Sequence, residues 1–294
     1  MKKYIVVTGG AGFVGSNLIE LLLKKTNYKI ISIDNYSSGK LKNHILNKKV
    51  KYIKGDTKNI FSILDFYKKK IIAIFHFGEF SRIHQSFEDI NDCVNFNIIG
   101  TSKVFLFCLE NRIKVIYSAT SATLGNNGND KNLSPYALSK SNNLDFLKNL
   151  KKWFSLSCEI LYFYNVYGNK HIKVGKMATV IGIFERQFKK KNPLTVVKPG
   201  TQSRKFTNVI DTVNGCYIAW KKNKSREYIL SNNKSYKIIE VAKMFRSKIK
   251  YIEEKLGERY RSTTKSKMGK NKIYRIDCDM DLKSYIQNFI KTPH

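Results

Sequence analysis

The sequence predicts an α/β fold, a doubly wound parallel sheet with a smaller C-terminal α/β lobe, and three observations carry that prediction. A strand, a glycine-rich turn and a helix follow one another at the amino terminus. Short β-branched apolar runs then alternate with helical stretches to about residue 168, the pattern of parallel strands buried on both faces. Past that point, helices stand among shorter strands. The expected division is residues 1–168 and 169–294, with the chain free to cross between the lobes.

In chain order, the sheet strands are Tyr4-Ile5-Val6-Val7, Lys29 to Ile33, Ile71 to Phe75, Val115-Ile116-Tyr117 and Glu159-Ile160-Leu161. Val14 to Lys25 places Leu18, Leu21 and Leu22 at helical spacing, which marks the first helix. Ser86 to Leu109 is a longer helical run, and Ser134-Pro135 opens another helix, because proline suits a first turn. Met177 to Phe188, Asp211 to Lys221 and Tyr236 to Phe245 are the helices expected in the smaller lobe. Asn126 to Asn132 reads as a polar loop.

The turn Thr8-Gly9-Gly10-Ala11-Gly12-Phe13-Val14-Gly15 joins the first strand to the first helix. Missing Cβ atoms at Gly9, Gly12 and Gly15 permit a tight turn, close approach of a pyrophosphate, and close packing of helix on strand. The second strand ends in Asp34, at about the 20-residue spacing where an acid bonds the adenosine ribose hydroxyls. That carboxylate repels a 2′-phosphate, so the expected dinucleotide is NAD rather than NADP. Together these features specify a Rossmann-type dinucleotide fold.

Tyr136 and Lys140 stand four apart on the helix after Ser134-Pro135, so they share a face. A nearby ammonium stabilises phenolate and lowers a tyrosine pKa toward the range of a usable base. The pair alone carries little weight in a chain with 17 Tyr and an excess of Lys; its position after a dinucleotide fold supplies the weight. Upstream, Ser118-Ala119-Thr120-Ser121-Ala122-Thr123 follows a strand, where doubly wound sheets place ligands. Thr120 is the candidate to share the proton of a reacting hydroxyl, with Ser121 in reserve. Most of these hydroxyls serve turns and caps.

Further segments fall in matching order: Asp34-Asn35, Ser37-Ser38-Gly39, Gly55-Asp56, Phe75-His76-Phe77-Gly78, Asn97 before Gly100-Thr101, Tyr164-Asn165-Val166-Tyr167-Gly168, and Pro199 to Phe206. The set resembles the extended short-chain dehydrogenases/reductases of the NAD-dependent nucleotide-sugar epimerase/dehydratase family, in its UDP-glucose/UDP-galactose 4-epimerase-like branch. The resemblance covers nearly the whole chain. It implies cofactor contacts from Gly9, Gly12, Phe13, Val14, Gly15, Asp34 and Asn35, with Asp56 at the adenine and Phe77 and Gly78 lining the site. Asn97 and Tyr164 would sit near the nicotinamide half, and Lys140 would hold the nicotinamide ribose. Thr120, Ser121 and Asn165 would face the substrate, and Arg204 would grip its diphosphate. The resemblance also implies a homodimer, through a face made by the Ser86 to Leu109 run and the Tyr136 helix. The other reading of Phe96, Ile99, Val104, Phe105 and Phe107 is that they pack on the sheet.

The departures bear on the reaction. Family dehydratases carry an Asp-Glu pair after the catalytic threonine, whereas Ser121-Ala122 stands here, which disfavours dehydration. Thr123-Leu124 replaces the usual Val-Tyr, altering the sugar-facing wall. Glu79 and Arg82 occupy a strand end that is usually small-residue rich; they contact the sugar or form a local ion pair. Arg82 is kept as a substrate candidate, and His84 as a weaker one. Lys255 and Arg261 are possible second diphosphate contacts.

The formal charge of +32 comes mainly from lysines spread along the whole chain. No basic arm with interleaved aromatics accompanies them, so no specific nucleic-acid site is expected. Five scattered cysteines without a paired motif suggest reduced thiols and no metal site. No signal peptide and no run long enough to cross a membrane is expected, and the cytoplasm is the default location. The expected activity is NAD-dependent epimerisation of a nucleotide sugar; a dehydrogenase, reductase or decarboxylase is the alternative on the same scaffold. From another class, the alternative is a non-catalytic dinucleotide-fold protein with a basic surface for nucleic acid or a partner.

Overall fold

The computed structural model describes residues 3–253, 267–268 and 271–292. Strands β1 (Tyr4–Thr8), β2 (Lys29–Asp34), β3 (Val50–Lys54), β4 (Ile71–His76), β5 (Lys114–Thr120) and β6 (Cys158–Phe163) form most of one sheet. Its eight strands run in the order Tyr274–Ile276, Glu227–Leu230, β6, β5, β4, β1, β2, β3. Every pairing in it is parallel. Parallel neighbours need crossovers, and these supply the helices on both faces. The order reverses beside β1, where a doubly wound sheet opens a crevice at its strand ends.

The helices are α1 (Phe13–Lys25), α2 (Ile60–Leu64), α3 (Gln85–Glu88), α4 (Ile90–Cys93), α5 (Thr101–Glu110) and α6 (Pro135–Phe154). Beyond β6 come α7 (Val180–Lys189), α8 (Val209–Lys222), α9 (Ile238–Met244) and α10 (Leu282–Lys291). One core packs α2, α5 and α6 on the sheet through Ile60, Phe105, Phe107, Leu144 and Leu147. A second packs α1 and α8 on the opposite face through Leu18, Ile19, Leu22, Val213 and Cys216. A third, built from Ile181, Phe184, Val241, Phe245 and Ile286, is the smaller lobe.

Strands β1, β2, β4 and β6 and the starts of α1 and α6 stand where the sequence puts them, within a residue or two; β5 runs on three residues past Tyr117, and Val50–Lys54, Glu227–Leu230 and Tyr274–Ile276 join the sheet without having been expected as strands. Ser134 accepts a hydrogen bond from the Ala137 N–H and Pro135 occupies the first turn of α6, which explains its sharp start. Three expectations are corrected. The Asp211 to Lys221 run is not part of the smaller lobe: α8 lies against α1, because Val209, Val213, Cys216 and Ala219 extend the second core. The Ser86 to Leu109 run is not one regular helix; a π-helical turn at Val94–Gly100 interrupts it, with Asn97 at its middle bonded to Phe80 and Ser139. Ser121–Asn132 winds in 3-10 turns rather than a loop.

The segment Ile90–Glu110 is long and apolar enough to span a bilayer by length and composition, contrary to expectation. Val104, Phe105, Phe107 and Cys108 are buried in the first core, so it serves here as a core helix. The five cysteines are buried and unpaired.

Candidate active site

A cavity of about 730 Å³ opens at the carboxyl ends of the sheet strands and extends under the smaller lobe, a volume suited to a small-molecule site. At one end is the glycine turn. Gly9 has φ +68°, and a Cβ on it would lie 2.9 Å from the Phe77 and Gly78 backbone. A Cβ on Gly15 would lie 2.2 Å from the Gly9 carbonyl. Only glycine lets β1, the turn and α1 approach this closely. No side chain caps α1 at Gly12, so first-turn N–H groups remain available to an anion. Gly9, Gly12, Phe13, Val14 and Gly15 all line the cavity.

Asp34 ends β2 at the same rim and is nearly buried. Its Oδ2 accepts the Ala11 N–H at 2.9 Å, and Oδ1 accepts the Tyr36 N–H at 2.8 Å. Burial raises its pKa above the ordinary carboxylate value, and those backbone donors oppose the rise. Asn35 and Gly55 lie alongside on the wall. Asp56 stands behind them: Oδ1 accepts the Lys58 N–H at 2.9 Å and Oδ2 lies 3.5 Å from Asn35 Nδ2. The glycine cradle, the open helix start and the carboxylate fit a dinucleotide with free ribose hydroxyls.

Mid-cavity, Thr120 and Ser121 at the end of β5 and Tyr136 and Lys140 on α6 line one wall. Thr120 Oγ1 accepts the Ala122 N–H at 3.2 Å, and the Tyr136 N–H donates to Ser86 Oγ at 3.2 Å. Lys140 is buried, and its Nζ donates to Glu79 Oε2 and to the Ser118 carbonyl. Burial lowers the Lys140 pKa from the ordinary lysine value, while Glu79 pulls it back. Phe77, Gly78 and Phe163 complete this part of the wall.

At the far end, Arg82, Asn165 and Arg204 line the cavity with Gln202. Arg82 does not pair with Glu79. Its Nε and Nη2 donate to the Met177 carbonyl at 3.0 and 2.6 Å. Asn165 Nδ2 donates to the Lys205 carbonyl at 2.9 Å. Arg204 lies on the short strand Ser203–Lys205, across from Tyr236. Lys255 and Arg261 lie outside the described residues.

Asn97 and Tyr164 do not reach the cavity. Asn97 is fully buried, accepting the Phe80 N–H at 2.6 Å and donating to Ser139 Oγ at 2.9 Å. Tyr164 is in the first core, while its neighbours Phe163 and Asn165 face the cavity. Both side chains brace the wall from behind.

The profile described as the NAD dependent epimerase/dehydratase family matches residues 5–232. The chain belongs to that family. A Methanocaldococcus jannaschii protein provisionally named a UDP-glucose 4-epimerase is 28% identical over 275 residues, covering 87% of this chain and 88% of that one. A Methanobrevibacter ruminantium UDP-N-acetylglucosamine 4-epimerase structure is 28% identical with a TM-score of 0.77, covering 90% of each chain. A Thermotoga maritima UDP-glucose 4-epimerase structure superimposes with a TM-score of 0.85 at 19% identity, covering 98% and 97% of the two chains, a likeness of fold.

Within this family fold, sequence reasoning missed how Glu79 is used. A lone acid directly after an apolar strand and a glycine was the available signal. It also missed a buried chain behind the cofactor wall. Thr8 Oγ1 accepts the Phe77 and Gly78 N–H groups at 3.1 Å each, so its proton goes to His76 Nδ1 at 2.7 Å. That assigns the His76 proton to Nε2, which donates to Thr101 Oγ1 at 2.9 Å. Burial lowers the His76 pKa to about 4.

Proposed function

We propose that this protein is an NAD-dependent nucleotide-sugar epimerase that acts through transient oxidation of a sugar hydroxyl. The observation that carries the reading is the presence of Tyr136, Thr120 and Lys140 on one cavity wall, continuous with the glycine turn and Asp34. Bound at that turn, NAD supplies hydride acceptance and return. Tyr136 takes the proton of the sugar hydroxyl as general base and gives it back afterwards. Thr120 Oγ1 orients that hydroxyl. Arg204 suits the diphosphate, because guanidinium matches phosphate oxygens in a bidentate contact. The ketone then turns about that anchored end and presents its other face. Ser121 and Ala122 follow Thr120, so neither position offers a carboxylic acid to expel water, which favours epimerisation over dehydration.

The exposed apolar side chains Phe87, Ile90, Val94 and Ile99, with Leu138 on α6, support a homodimer through this side. Phe105 and Phe107 are spent on the sheet instead. Five buried free thiols suit a reducing cytoplasm.

The deciding experiment incubates the protein and a Tyr136→Phe variant with a panel of UDP-, dTDP- and GDP-sugars. Products are read by mass spectrometry and NMR, and NADH by absorbance. Inversion at one carbon without net NADH, reduced about 10²- to 10⁴-fold by the substitution, is the expected result. Turnover unchanged in the variant refutes the reading. Net NADH accumulation or consumption replaces it with a dehydrogenase or reductase.

A further inference from the structure

The carboxylate of Glu79 has no task in the reaction above, yet it lines the same cavity as Tyr136 and is held by four side chains. It follows Phe77 and Gly78 at the end of β4, and its side chain is 3% exposed. Oε2 receives the Lys140 ammonium. Oε1 receives Thr101 Oγ1, Tyr117 OH and Asn143 Nδ2, each at 3.2 Å. Lys140 also donates to the Ser118 carbonyl and lies 4.4 Å from the centre of the Tyr117 ring. Three contacts thus hold the ammonium against the sheet, and one buried carboxylate matches its charge.

A tyrosine base owes its lowered proton affinity to nearby positive charge. A lysine that is itself neutralised supplies less. We propose that Glu79 is a positioning residue that anchors Lys140 and cancels its field, so that a neutral ion pair rather than a bare cation sets the proton affinity of Tyr136. The proposal rests on the reading of Tyr136 as the base.

Other titratable groups lie around the pair, and His84 and Lys176 line the same cavity and are unchanged in the series below. From β4, His76 reaches Glu79 through Thr101 and is neutral in the working range. From β5, Tyr117 is held protonated by burial and by Glu79. From α4, Cys93 lies within 3.6 Å of Ser139, and burial raises its thiol pKa. From the segment after β4, Arg82 acts on Tyr136 as a second cation, held on Met177 and Ser81. Arg82 is unchanged in the series below, so its contribution is constant.

The test measures the Tyr136 phenol by alkaline ultraviolet difference titration of the resting protein, without sugar or turnover. Wild type, Glu79→Gln, Lys140→Met and the double variant are each compared with a Tyr136→Phe counterpart, which isolates this phenol among the 17 tyrosines. Glu79→Gln is expected to titrate about one pH unit or more below wild type, because it leaves the ammonium unopposed. Lys140→Met is expected to titrate above wild type, and the double variant close to it. A Glu79→Gln titration that coincides with wild type, or moves upward, overturns the proposal. Circular dichroism monitors folding. If Glu79→Gln fails to fold, Lys140→Met is compared with the double variant, where removing Glu79 must lower the titration; coincidence of those two overturns the proposal as well. Failure of the epimerase reading is distinguishable. It appears as full activity in Tyr136→Phe, whereas failure here appears as an unmoved titration in a protein whose Tyr136→Phe variant is inactive.

Discussion

Gly15→Ala tests whether the tight junction of turn and helix is what prepares the cofactor end. The added methyl would sit 2.2 Å from the Gly9 carbonyl oxygen, 2.8 Å from Gly10 Cα and 2.9 Å from the Gly9 carbonyl carbon. All three atoms are backbone, and comfortable carbon contacts lie near 3.5–4.0 Å, so a gap of about an ångström must open. The helix cannot supply it, because Leu18, Ile19 and Leu22 are fully buried in the second core. The turn must move instead. Overpacking of this kind costs about 1–3 kcal/mol, and each 1.4 kcal/mol is about tenfold in affinity, so NAD binding should weaken by about 10- to 100-fold. Alanine gains about 0.8–1.0 kcal/mol of helix propensity over glycine, which partly offsets the loss in the melting temperature but not in NAD binding. Gly215→Ala in α8, away from the turn, is the control: the same propensity gain, with a Cβ meeting side-chain rather than backbone atoms, Leu230 Cδ2, Cδ1 and Cγ at 2.6, 2.9 and 3.3 Å. Calorimetric NAD titration and thermal unfolding of both variants decide the matter. NAD affinity in Gly15→Ala within about twofold of wild type would refute the reasoning.

Asp34→Asn removes the charge that faces the ribose, and loss of a hydrogen bond to a charged group is worth about 1.5–3 kcal/mol. NAD affinity should fall by about 10- to 100-fold while NADP affinity falls less; equal losses for the two would rule out Asp34 as the discriminator. Glu185 is held below the ordinary carboxylate pKa despite its burial, by His171 at 2.9 Å, Lys173 at 2.6 Å and Tyr285 at 2.7 Å. Its stabilisation is therefore present above the unfolded value of about 4.3 and is lost as pH falls through the lower folded value. Glu185→Gln should cost about 1.5–3 kcal/mol near neutrality, a difference that shrinks in acid melting curves; a constant difference would contradict the assignment. His76 has its pKa depressed to about 4, so its contribution to stability declines as pH falls from the unfolded value of about 6.5 toward that point. Its ring resonances should stay at the neutral position from about pH 8 to about pH 5, and a shift midway would show that the buried chain is wrongly protonated. For the proposed homodimer, light scattering should give a dimeric mass for the wild type and a monomeric one for Ile90→Glu with Leu138→Glu; a monomeric wild type would refute the dimer, and a variant that stays dimeric would refute this interface.

Five of the eight sheet strands were legible because each carries a short apolar run rich in β-branched or aromatic residues, and the glycines and Asp34 constrain the backbone by their own chemistry; Val50–Lys54, Glu227–Leu230 and Tyr274–Ile276 are too short or too polar to stand out. Tyr136, Lys140 and Thr120 were legible for a related reason: a helix period and a strand end place them without knowledge of the packing. Side-chain direction was harder. Tyr164 and Asn165 are adjacent in the link that follows β6, yet one enters the core and the other the cavity, a choice that packing makes. Asn97 was read as a cofactor contact, but the π-helical turn directs it into the wall, where it clamps Phe80. The run that became α8 carried its apolar face openly, but not the identity of the surface that would cover it. Glu79 was legible as an anomaly; its partner, 61 residues away, emerges only once β4 and α6 are assembled.

Arg82 joins the end of β4 to the chain entering the smaller lobe through the Met177 carbonyl. The far end of the cavity is thus walled by two stretches of chain that are 95 residues apart. Grafting this lobe onto a sister enzyme would need the strand-end arginine to travel with it; a transplant without that tether would leave the Met177 carbonyl without its guanidinium partner.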